Sequence, residues 1–114
     1  MFSCMKGLAV FLCLIAVAPA AARDVLPSGV LAPPQYWEYQ PLKAPVLLRD
    51  VPPAEVERLC PNFGSGTPFN ACAVLEHHTC YVFIRNDGIH EDFYADLVRH
   101  EMAHCRGWPA DHPN

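Results

Sequence analysis

From Thr79 to Arg85 the chain reads Thr-Cys-Tyr-Val-Phe-Ile-Arg, a run of β-branched and aromatic residues that predicts a strand. Cys80, Val82 and Ile84 share one face of it, which points Cys80 into the core. Ala71 to Glu76 predicts a second strand, His77-His78 the turn between the two, and Asn86-Asp87-Gly88 the end of the pair. Upstream, Val46 to Arg49 reads as a short strand and Asp50 to Cys60 as a short helix. Proline opens that helix and acids sit near its N-terminal end, where both are favoured. Residues 61–68 read as a loop, and Glu91 to Cys105 as the last and longest element, a helix. At about 100° per residue its Phe93, Tyr94, Leu97, Val98, Met102 and Cys105 form one broad apolar face. Asp96, Arg99 and Ala103 fall opposite, and Gly107 followed by Pro109 marks the stop. Residues 23–45, dense in proline and aromatics, predict an extended arm, because proline blocks helix and interior strand. The expectation is an α+β fold with a small antiparallel sheet, one short helix and the C-terminal helix packed across it, built from residues 46–114.

Composition changes how the two ends of the chain are read. The 114 residues suffice for one small domain. Of the 59 residues behind the 52% hydrophobic content, 18 lie in the first 22 positions. Met1 to Lys6 carries one positive charge, Gly7 to Val17 is apolar but shorter than a bilayer span, and Ala20 and Ala22 fit a cleavage site. Residues 1–22 therefore read as a signal peptide, and the protein as exported, periplasmic or secreted, with no stable membrane span after cleavage. Of the six cysteines, Cys4 and Cys13 fall within that segment. Cys60, Cys72, Cys80 and Cys105 remain, an even number that predicts two disulfides with three connectivities open. No C-x-x-C pair is present, which argues against a cysteine–zinc site or a thioredoxin-like centre. The net charge of −4 argues against nucleic acid as a partner.

The chemistry concentrates in the last helix, where His100-Glu101-Met102-Ala103-His104 spells H-E-x-x-H. Two histidines at i and i+4 lie about 40° apart on the helix, so both imidazoles can reach one metal ion. Glu101 is offset from them and is free to take a proton from a metal-bound water. His77-His78 reads as a solvated turn and Trp37 and Trp108 as packing groups. No oxyanion stabiliser stands out: Tyr94 lies on the same helix but faces the core, and His90 precedes the helix.

This stretch resembles the zincin metallopeptidases, with Gly107 extending the match to the H-E-x-x-H-x-x-G form of the metzincins. The resemblance covers eight residues and implies His100 and His104 as Zn2+ ligands and Glu101 as general base. It also looks like the C-terminal stretch of small exported bacterial proteins. The position of the metzincin third histidine holds Ala110. His112 is taken as the third ligand, with Asp111 or water as alternatives. The implied function is an exported zinc-dependent hydrolase, a peptidase acting on peptide or protein, with the strand Tyr81 to Arg85 offering an edge to an extended substrate. The alternative is a non-catalytic, disulfide-stapled binding or accessory protein with a structural or vestigial metal site.

Overall fold

The computed structural model describes residues 24–61 and 69–114; the segment 1–22, read above as a signal peptide, and nearly all of the loop expected at 61–68 lie outside the described residues. The elements are a short helix α1 (Gln35–Glu38), strand β1 (Val46–Val51), helix α2 (Pro53–Leu59), strands β2 (Ala71–Glu76) and β3 (Thr79–Arg85), and helix α3 (Glu91–Cys105). Strands β2 and β3 form the hairpin read from the sequence. Both turn residues have positive φ, His77 at 51° and His78 at 62°, the backbone twist that a two-residue hairpin requires.

The sheet is mixed, in the order β1-β3-β2, and not the antiparallel sheet expected. β2 pairs antiparallel with β3, but β1 pairs parallel with it, Leu48 opposite Val82. The reason lies in β3. Cys80, Val82 and Ile84 bury against one side of the sheet and Phe83 against the other. A strand covered on both faces takes the centre, with partners on both edges. The hairpin claims one edge and β1 takes the other, and the long connection through α2 and β2 supplies the crossover that a parallel pair needs. It follows that β3 has no free edge for a peptide; the edge strands are β1 and β2.

Helix α3 covers one face, where Val30, Ala71, Cys80, Val82, Ile84, Leu97 and Cys105 form a core. Helix α2 covers the other with Val56, beside Val51, Cys60, Cys72 and Phe83. The disulfides are Cys60–Cys72 and Cys80–Cys105, each with Cα atoms 5.8 Å apart, within the usual range. One ties the end of α2 to β2 and the other the end of α3 to β3. Such bridges are consistent with an oxidising compartment. No helix of the described residues is long and apolar enough to cross a membrane.

The proline-rich segment holds more structure than the extended reading allowed. Helix α1 is a second short helix where one was expected. Val25 and Leu31 form an isolated bridge around the turn at Gly29, which puts Val30 in the core. Glu38 accepts both arms of the Arg99 guanidinium, each at 2.7 Å, and the Lys43 amide donates to the Cys105 carbonyl at 3.0 Å. The segment's α1 end thus meets the Arg99 face of α3, while Val30 reaches the core against the sheet. Ala103, placed opposite the core by the helical wheel, is 1% exposed.

Candidate metal centre

Helix α3 begins at His90, whose Nδ1 accepts from the Asp92 amide, and it ends in a defined motif. The Gly107 amide donates to the His104 carbonyl and the Trp108 amide to the Ala103 carbonyl, both at 3.0 Å, with Gly107 at φ 113°. This is the Schellman arrangement, and it reverses the chain within two residues. It turns Trp108 back so that its indole stacks on His104, with centroids 4.8 Å apart and planes 13° from parallel. A further turn, closed by the His112 amide donating to the Pro109 carbonyl at 3.0 Å, then returns His112 to the helix.

Gly107 is set by its surroundings as well as by its φ. A methyl group there would lie 3.0 Å from Lys43 Cε and 3.1 Å from Trp37 Cζ3. Gly107→Ala is expected to cost about 1–3 kcal/mol of folding stability, because an L side chain is strained at that φ. It is also expected to weaken zinc binding, because the turn delivers His112. Urea denaturation with and without zinc checks both effects. Equal midpoints for variant and wild type would refute them.

The three Nε2 atoms converge: His100 to His112 at 3.1 Å, His104 to His112 at 3.1 Å, and His100 to His104 at 3.4 Å. Among the described residues this is the one group of three or more potential ligands close enough to share an ion. Asp111, weighed as the third ligand, is exposed and outside the group. His100 Nδ1–H donates to the Leu31 carbonyl and His104 Nδ1–H to the Trp108 carbonyl, both at 2.7 Å. A carbonyl only accepts, so both Nδ1 atoms carry the proton and both neutral rings turn a lone pair inward on Nε2. Lone pairs at this separation repel unless a cation lies among them. Three nitrogens at ordinary zinc distances and tetrahedral angles would stand about 3.3–3.4 Å apart. The donor set therefore fits zinc in number and spacing, and His100 and His104 fit it in tautomer. The third ligand needed no long reach, only the two tight turns after the helix.

Burial sets the charges. Desolvation lowers the pKa of His100, against an opposing pull from its bond to Leu31. Desolvation likewise brings His104 down to about 4, against its bond to Trp108 and helped by repulsion from His100 and His112. Neutral imidazole is the metal-binding form. Glu101, 6% exposed, is pushed up to about 8 by desolvation. Glu101 also lines a cavity of about 480 Å3 with the three histidines, Trp108 and the Cys72 to Leu75 stretch of β2.

The two oxyanion candidates are placed elsewhere. The Tyr94 hydroxyl donates to Asp50 at 2.6 Å, which raises its pKa to about 12, and His90 caps the far end of α3. Sequence reasoning missed Leu31, whose carbonyl orients His100 across 69 positions of chain. A backbone acceptor leaves no mark in residue type.

The arrangement matches an H-E-x-x-H…H metal site of the zincin kind by geometry. No homology links the chain to exported bacterial proteins: comparison with protein-family models, with curated proteins and with solved structures finds no match.

Proposed function

We propose that this protein is a zinc-dependent hydrolase acting on peptides, delivered outside the cytoplasm by an export signal at residues 1–22, with 46–114 as a minimal zincin-like domain. The observation that carries the reading is the convergence of three Nε2 atoms beside a buried carboxylate that is not one of the converging group. His100, His104 and His112 would hold the ion. When bound, zinc would supply Lewis acidity, polarising a carbonyl and lowering the pKa of water toward neutrality. The Glu101 carboxylate takes a proton from the attacking water as the C–O bond forms. It then passes that proton to the leaving nitrogen as the C–N bond breaks. Its apolar surroundings keep its basicity high enough for the first transfer. The walls formed by Phe69, Val74, Leu75 and Trp108 suit an apolar side chain next to the reacting bond. β2, an edge strand along that cavity, offers main-chain partners to an extended peptide.

A non-catalytic binding protein has no use for a carboxylate held in an apolar wall beside the ion. The test uses oxidised, zinc-loaded protein. Elemental analysis is expected to find one zinc per chain, and blocked peptides are expected to be cleaved. His104→Ala and His112→Ala are each expected to weaken zinc binding by more than the ~10–100-fold that losing an outer partner costs. Wild-type protein that holds no zinc would sink the reading. Zinc held without any hydrolysis would leave the binding protein in its place.

A further inference from the structure

Two cavities meet at Glu101. One is the groove along β2 described above. The other, of about 340 Å3, lies beside His100 and Glu101 and is walled by Ser28, Leu31, Asn70 and Phe93. The hydrolytic chemistry leaves this second cavity without a role.

Strand β2 connects the two. Cys72 to Leu75 line the first cavity, and Asn70, one residue before the strand begins, lines the second. At about 3.3 Å per residue the stretch from Leu75 to Asn70 spans ~17 Å, enough for about five residues of extended chain. A peptide laid along this edge with its reacting bond at Glu101 has residues in both cavities.

The second cavity holds one side-chain donor with no acceptor among the described residues. The Ser28 hydroxyl donates to Asp96 at 2.8 Å, and the His100 Nδ1 proton goes to Leu31. The Asn70 Oδ1 accepts from Arg85 Nη1 at 2.7 Å, and Arg85 is itself forked onto Asp87. Because a guanidinium only donates, this bond fixes which end of the amide is oxygen. The Nδ2 end, with two N–H groups, is left over and accessible, free to donate to a peptide carbonyl that enters the cavity.

We propose that the second cavity is a substrate subsite in which Asn70 Nδ2 donates a hydrogen bond to a backbone carbonyl of the bound peptide. The proposal rests on the peptidase reading and can fail separately from it. Asn70→Asp keeps an oxygen for Arg85 and the shape of the side chain but removes the donor. The probe is a pool of acetylated, amidated hexapeptides with leucine or phenylalanine at the two central positions. Asn70→Asp is expected to lower kcat/KM about tenfold through KM, with kcat, zinc content and unfolding midpoint held. In the Glu101→Gln protein, the Asn70 side-chain amide resonances are expected to shift saturably as the pool is added. Asn70→Asp within twofold of wild type, on peptides that wild type cleaves and Glu101→Gln does not, overturns the subsite and leaves the hydrolase standing. A pool neither cleaved by wild type nor bound by Glu101→Gln removes both. If Asn70→Asp fails to fold, the resonances decide, and an unmoved Asn70 amide overturns the proposal.

Discussion

Glu101→Gln is expected to retain a full equivalent of zinc and to lose peptide hydrolysis by about 10²–10⁴-fold. The two halves of that result have separate causes. Zinc is retained because Glu101 is not in the ligand group; the three imidazoles are, and the change leaves their rear hydrogen bonds to Leu31 and Trp108 untouched. Hydrolysis is lost because glutamine has the size of glutamate but cannot accept the proton of the attacking water. Folding is preserved because a neutral amide is easier to bury than a carboxylate at this 6% exposed position. Elemental analysis and initial rates on blocked peptides measure both halves. A variant that cleaves within tenfold of wild type would remove Glu101 from the mechanism. One that loses its zinc would make Glu101 a ligand.

What the sequence revealed about the site divides by chain distance. His100 and His104 were legible because helical geometry alone places residues four apart on one face. The hairpin was legible because β2 and β3 adjoin in sequence and β3 is rich in β-branched and aromatic residues. His112 lay at the margin: the glycine and proline after the helix signalled a turn, but its reach followed from a Schellman motif plus a second turn, set by the φ of Gly107 and by His112 at φ 57°. Leu31 and Asn70 were not legible. Both act through positions set by distant pairing, the Val25–Leu31 bridge and the start of β2. The parallel pairing of β1 escaped for the same reason, since alternation along a strand carries no information about which edge it will meet. Ala103, buried though the wheel set it opposite the core, escaped because the wheel ranks faces by composition alone.

The metal-free protein is expected to be most stable between about pH 4.5 and 6.5 and to lose stability on either side, and zinc to remove most of that dependence. On the alkaline side the group is Glu101, raised from 4.5 in the unfolded chain to about 8 in the fold. Between those values the folded state binds more protons than the unfolded, so stability falls as pH rises. The loss begins near pH 4.5, grows through pH 8 and totals about 5 kcal/mol. On the acid side the group is His104, lowered from 6.5 to about 4. There the unfolded state binds more protons, so stability falls as pH drops below about 6.5, by ~3 kcal/mol once pH 4 is passed. The two windows overlap between about pH 4.5 and 6.5, and no pH satisfies both groups. A divalent cation among the three Nε2 atoms favours the ionised carboxylate and the neutral imidazoles together, which relieves both penalties. For a domain whose whole stability is about 5–15 kcal/mol, the alkaline loss alone brings the metal-free form close to unfolding at pH 8. Urea midpoints followed by tryptophan fluorescence, with chelator and with excess zinc from pH 4 to 9, test this. The chelated protein is expected to trace a dome and the zinc form a much flatter curve above pH 6. In chelated Glu101→Gln the alkaline limb is expected to vanish while the acid limb stays. An alkaline limb that persists unchanged in that variant would place the ionising group elsewhere.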